Sequence, residues 1–155
     1  IDGKGRILDI GGVKAGQGFH SARIPEFADF VSDCDCLCGH NIIEHDIKYL
    51  KPFLRKEYIL IDTLYLSPLL FPQKPYHKLL KDDKILTEEL NNPLNDSLKA
   101  QSLYDDEVMA FKALDKDFQQ LYYDLLNEDI HFSGFFKSIE YVPSRKPFFF
   151  RKILL

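Results

Sequence analysis

Apolar residues in RILDIGGVKAG (6–16) cluster in a β-rich run that ends in glycines, and GFHSARI (18–24) follows directly. This pattern predicts a hairpin of two short strands turning around Gly16 to Gly18. After Pro25 the period changes: Phe27, Phe30 and Val31 fall at three-to-four spacing, predicting a short amphipathic helix that opens at Pro25 and ends near Ser32 and Asp33. CDCLCGHNII reads as a buried strand running into a turn at Gly39. EHDIKYLKPFL then sets Ile47, Leu50, Phe53 and Leu54 on one helical face. YILIDTLYLSPLLF repeats the theme, with a strand over 58–61, Asp62 and Thr63 at its carboxyl end, and helix or turn from Leu64 to Phe71.

Pro72 and Pro75 break the pattern before YHKLLKDDKILTEEL, whose Leu79, Leu80, Ile85 and Leu90 suit short helices, and Asn91 to Pro93 interrupts again. Ala100, Leu103, Ala110, Phe111 and Leu114 then recur at helical spacing, predicting one long helix capped by Asp96 or Ser97. A further amphipathic helix covers 118–130. The tail YVPSRKPFFFRKILL mixes apolar and basic residues and is expected to dock on something, FFFRKILL as a strand or interface segment. An antiparallel hairpin followed by β/α units predicts an α/β fold with one mixed sheet and helices on both faces.

The 155 residues, 45% of them apolar, suffice for one sizeable core and are too few for two ordinary domains. A formal charge of −4 disfavours a protein that coats nucleic acid through a basic surface. Lys146, Arg151 and Lys152 read as scattered solvated charges. The sequence has no apolar run near the roughly 18–20 residues a membrane helix needs, and IDGKGR lacks the pattern of a signal peptide. The expectation is a soluble, cytoplasmic chain with no membrane partner. Cys34, Cys36 and Cys38 make a poor disulfide framework, which suits a reducing compartment. Their C-x-C-x-C spacing also fails to wrap one zinc ion, so they read as buried strand thiols. GKG (3–5) and GQG (16–18) lack the helix start of a phosphate loop and read as turns. His20 and His131 read as structural or exposed.

Two stretches carry candidate chemistry. In GHNIIEHDIKYL (39–50) a strand ends at Gly39, His40 and Asn41, and Asp46 enters the first helical turn. An acid at the carboxyl edge of such a sheet can reach a metal or substrate. Equally, it can serve the helix dipole while His40 and Asn41 satisfy the turn. In NNPLNDSLKA (91–100) Asp96 opens the long helix, as a site acid or as an N-cap.

RILDIGGVKAGQGFHS, GHNIIEHDIKYL, LIDTLYLSPLLFP and PLNDSLKAQSL, taken in order across roughly residues 6–114, resemble successive segments of the DnaQ-like 3′–5′ exonucleases, the DEDD superfamily with a ribonuclease-H-like fold. The resemblance implies catalytic, metal-binding aspartates at Asp46 and Asp96, with His40 and Asn41 contacting the nucleic acid. It implies Mg²⁺ or Mn²⁺ as cofactor, in a two-metal hydrolysis of phosphodiester bonds at a single-stranded DNA or RNA 3′ end. Asp62 and Thr63 match a strand-end Asp-Thr typical of the family that is not one of its metal ligands. The chain departs from the pattern at the family's Asp-x-Glu, which should lie at or before Ile1, and the opening strand is missing with it; Asp2 and Asp9 are poor substitutes. At the family's general-base positions stand Asn91 and Asn92, which cannot accept a proton from water at neutral pH, unless His77 or His45 approaches. His45 also stands where the family often has an aromatic residue.

The resemblance therefore implies an exonuclease-like domain over 1–115, incomplete or inactive as it stands. A C-terminal helix and tail over 116–155 would lead toward another domain, preferably a fused helicase or else a polymerase. The alternative is a non-catalytic module of the same fold that binds nucleic acid or a protein. A sheet lacking its first strand exposes an edge through which two copies could pair.

Overall fold

A computed structural model describes residues 7–79 and 92–144. Most of the 76–90 segment, Asn91, the turn at 3–5, the basic residues of the tail and FFFRKILL lie outside them.

The hairpin forms from β1 (Ile10–Lys14) and β2 (Gln17–Ser21), antiparallel with Lys14 opposite Gln17. Its turn is Ala15-Gly16, one residue earlier than the glycine pattern suggests. Both turn residues have positive φ, 48° and 78°, the conformation a two-residue connection needs to follow the strand twist. Next comes α1 (Ile24–Phe30), with Pro25 in its first turn and Phe27 and Ala28 buried. The strand β3 (Cys36–Gly39) runs parallel to β4 (Ile59–Asp62), with Gly39 opposite Asp62.

Between β3 and β4 lie a π-helical turn (Ile42–Asp46) and the short α2 (Ile47–Leu50). The expected helical face through Leu54 is cut short, and Phe53 remains 45% exposed. Pro52 supplies the reason, since it has no N–H with which to continue the ladder. The structure continues with α3 (Thr63–Leu70), α4 (Pro93–Ala113), α5 (Lys116–Leu126) and α6 (Ser133–Ser138). α4 begins earlier than its apolar period predicts. Asn92 is the cap, its Oδ1 accepting from Leu94 N at 3.0 Å, and Pro93 takes the first helical position that its fixed φ favours. Neither Asp96 nor Ser97 caps; Ser97 Oγ instead donates to Pro93 O at 2.8 Å.

The fold is mixed α/β, as the alternation predicts, but the single mixed sheet is not formed. The described strands make two separate two-stranded sheets, β1–β2 and β3–β4. The helix α4 packs on β1 and β3 alike. It can approach β1 only because Gly11 lacks a side chain: a Cβ there would lie 2.4 Å from Leu94 N. Two clusters make the core. One gathers Ile10, Phe27, Val31, Leu37, Ile42 and Leu50 from the first elements, and the other gathers Ile61, Leu66, Phe111, Phe135 and Phe136 from the later ones. No helix among the described residues is long and apolar enough to cross a membrane.

Candidate functional site

The carboxyl ends of the parallel strands are held together by one side chain. Asp62, wholly buried, accepts from the backbone N–H of Asn41 at 2.8 Å, Ile43 at 3.1 Å and Leu64 at 3.0 Å. It thus caps α3 and pins the turn that leaves β3 at once. That turn is tight enough to force Asn41 into the left-handed region at φ 65°, a conformation asparagine tolerates better than most residues. Charge-assisted bonds to three amides are strong ones, so the π-helical turn carrying His45 and Asp46 is anchored through Asp62.

Beside Asp62, His40 Nδ1 lies 2.9 Å from Thr63 Oγ1, and the same hydroxyl donates to Gly39 O at 3.5 Å. The Thr63 hydroxyl satisfies Nδ1 in either tautomer, while Nε2 is buried without a hydrogen bond of normal geometry. Burial holds the His40 pKa below the ordinary histidine value, with the charge of Asp62 opposing. His40 is therefore a neutral imidazole at pH 7.

A cavity of about 550 Å³ opens next to this end of the sheet. Asp46, the last residue of the π-helical turn, lines it with its Oδ1 3.0 Å from His45 Nδ1. Asp96, exposed in the first turn of α4, lines it too, as do His40, His45 and Asp9. Asp9 is committed elsewhere, pairing with His20 at 2.6 Å and accepting from Ile10 N at 3.0 Å. Asn41 is not part of the lining; its backbone N–H serves Asp62. Of the two histidines that could stand in for a general base, His45 borders the cavity, whereas His77 Nδ1 lies 2.9 Å from the hydroxyl of buried Ser67. Among the described residues no group of three or more His, Cys, Asp or Glu side chains is placed to hold a metal ion.

Several features escape the sequence pattern. Cys36 and Cys38 are exposed rather than buried, because β3 borders the cavity. Both histidines without an obvious partner have one: His20 has Asp9, and His131 bonds Glu44 and Asp129, each at 3.1 Å. The bond to Glu44 is the main cause raising the His131 pKa, and its ring sits 4.1 Å from that of Tyr65. Glu107 is the largest surprise, fully buried on α4 with neither carboxyl oxygen hydrogen-bonded. Burial, and after it the charge of Asp62, pushes its pKa up to about 9, so it is a neutral acid at pH 7. Although Cys38 opens onto the cavity, the protein packed around its sulfur, and after it the charges of Glu107 and Asp62, raise the thiol. The available signal was a charge seven residues after Ala100 and four before Phe111, on the apolar stripe itself.

No protein-family model matches the chain, and neither curated proteins nor solved structures include a significant match.

Proposed function

We propose that this chain is a 3′–5′ exonuclease-like domain that binds a nucleic-acid 3′ end and divalent metal at the Asp46–Asp96 cavity. The observation that carries the reading is that these two aspartates, from segments far apart in sequence, line one cavity that runs along β3 to the turn after its carboxyl end. Carboxylates in a cleft are the donors that Mg²⁺ and Mn²⁺ prefer. Asp46 and Asp96 would hold the metal, which when bound supplies activation of water and neutralisation of phosphate charge. The fit is partial. Two carboxylates are too few for a pair of dications, and the described residues add no third ligand group. The chain by itself is accordingly read as a metal-binding but incomplete catalyst.

Mn²⁺ titration followed by water-proton relaxation tests the site, alongside digestion of 3′-labelled single-stranded DNA and RNA. Binding weakened about tenfold or more in both Asp46→Ala and Asp96→Ala is the expected result. Unchanged Mn²⁺ affinity in both variants overturns the assignment.

A non-catalytic binding module is the second reading, favoured by Asn92. That residue occupies one of the two general-base positions and is spent on capping α4. Retention of a labelled single strand with no Mn²⁺-dependent cleavage selects it. The resemblance further suggests a fused helicase as the context, and two copies pairing at a sheet edge as an assembly; light scattering tests the second.

A further inference from the structure

Both ring nitrogens of His131 are aimed at carboxylates. Nε2 lies 3.1 Å from Oε1 of Glu44, in the π-helical turn, and Nδ1 lies 3.1 Å from Oδ1 of Asp129, in the loop that joins α5 to α6. An ionised carboxylate only accepts, so each contact is a hydrogen bond only where the ring nitrogen carries a proton. A neutral imidazole has one such proton and leaves a lone pair facing a negative oxygen; an imidazolium has two and satisfies both acids. The ring also stacks on that of Tyr65 in α3, centroids 4.1 Å apart, and an aromatic face favours a cation at that range. Among the described residues, Glu44, Tyr65 and Asp129 are the titratable groups that face His131, from the π-helical turn, α3 and its own loop.

The two carboxylates are held differently. Asp129 is built into its loop: its Oδ1 also accepts from His131 N at 2.8 Å, and its carbonyl accepts from Phe132 N at 3.1 Å and Ser133 N at 2.8 Å. That loop is fixed to the later core cluster, against which Phe132 packs, and α6 follows it so close to β4 that a Cβ on Gly134 would stand 1.8 Å from Leu60 O. Glu44 instead belongs to the turn that carries His45 and Asp46, whose Ile42 lies in the earlier cluster. The contact that can part is therefore the one between His131 and Glu44. It bridges the two clusters at the surface, as Asp62 does in the interior.

We propose that His131 is a proton-operated clamp on the π-helical turn: as imidazolium it fastens Glu44 to the α5–α6 loop, and on losing a proton it lets the turn go. The bond to Glu44, and after it that to Asp129, raises the His131 pKa above the ordinary 6.5 against the opposing effect of burial. The clamp is accordingly closed below that ordinary value and opens as pH rises through the higher folded one. Glu44 is 59% exposed, and a contact so open to solvent moves the local freedom of the turn rather than the stability of the whole chain. The clamp stands whether or not Asp46 binds metal, so its test uses none.

The test is amide exchange from about pH 5.5 to about 8.5 on the chain, His131→Gln and Glu44→Gln, with an NMR titration of the His131 ring. The reporters are the amides of His45, bonded to Asn41 O at 3.0 Å, and Ile47, bonded to Ile42 O. Unpaired strand-edge amides supply the reference. In β1 the two-residue turn makes Lys14–Gln17, Gly12–Phe19 and Ile10–Ser21 the bonded pairs, so the N–H groups of Gly11 and Val13 point out of the opposite edge. In β3 the bond from Ile59 N to Asp35 O at 2.9 Å sets a register in which the N–H groups of Cys36 and Cys38 point away from β4. Exchange at those four rises with pH through hydroxide catalysis alone. Across the His131 titration, exchange at His45 and Ile47 is expected to rise about fivefold more than the reference, the size an exposed charged contact can reach. His131→Gln is expected to abolish this excess, and Glu44→Gln to lower the His131 pKa and shrink it. His45 titrates within the same turn, but its contribution persists in His131→Gln and is subtracted with it. A His131 pKa at or below 6.5 overturns the proposal. So does a rise parallel to the reference amides, or an excess that survives in His131→Gln. Should His131→Gln fail to fold, Glu44→Gln decides by the same two readouts.

Discussion

The two core clusters differ in how completely they are closed. In the later one, Phe111, Phe135 and Phe136 meet edge-to-face at centroid distances of 5.4–5.8 Å, and the space left among them is about 10 Å³. In the earlier one, the apolar residues border a cavity of about 550 Å³. Aromatic pairs in that geometry add roughly 0.5–1.5 kcal/mol each beyond the area they bury, whereas side chains facing a void lose the contacts they lack. Stability is thus concentrated in β4, α3, α5, α6 and the second half of α4. The candidate chemistry lies in the less finished half, and Asp62 couples the two by reaching from β4 to the turn after β3.

Breaking that coupling is expected to have the largest effect. Asp62→Ala strands three amides that now bond to one buried carboxylate, and urea denaturation should show a loss of about 4 kcal/mol or more. Asp62→Asn retains an acceptor for some of those amides and should cost less. An effect of Asp62→Ala below about 1 kcal/mol would show that the halves are not joined there.

Two glycines sharpen the contrast. Gly134→Ala drives a methyl into Leu60 O inside the closed half and should cost about 3 kcal/mol. Gly11→Ala meets Leu94 and Pro93, but the start of α4 borders the cavity and can shift into it. The smaller loss is therefore expected at Gly11, together with weakened Mn²⁺ binding as Asp96 moves. Equal costs in equilibrium unfolding would erase the distinction between the halves.

Glu107 gives a pH dependence with a definite sign. Its folded pKa, about 9, is raised above the ordinary value of 4.5, so between those values the unfolded chain releases the proton more readily. Stability should fall as pH rises through this window, by at most about 1.4 kcal/mol per unit. Glu107→Gln removes that slope and should be more stable than the parent at pH 8. Identical Tm profiles from pH 5 to 8 for parent and variant would contradict the buried neutral acid. The smallest effects on stability belong to Asp46→Ala and Asp96→Ala, each within about 0.5 kcal/mol, because both side chains reach solvent and hold no core contact. A large loss in either would recast that aspartate as structural.

Much of the fold was legible from local period alone. The hairpin, α1, both parallel strands and α4 announce themselves through alternation or three-to-four spacing. What stayed hidden depends on contacts between distant segments. Asp62 is an ordinary strand-end acid until β3 is known to lie beside it. Gly134 matters only because α6 covers the outer edge of β4, and Pro93 read as an interruption although it starts α4. The π-helical turn has no period to find. At the site, Asp46 and Asp96 both line one cavity, and the part Asn41 plays in holding the turn, through its backbone N–H on Asp62, has no signal in the sequence. The division of the strands into two sheets was not foreseen, since alternation shows which residues make strands and says nothing about which edges meet.

Native-state amide hydrogen exchange on the 155-residue chain tests the contrast between an open and a closed half most directly. The account predicts near-unprotected exchange at Gly11, Val13, Cys36 and Cys38, and exchange near the global-unfolding limit at Leu37, Gly39, Ile61 and the helical amides of Phe111. Uniform slow exchange across both sets would contradict it.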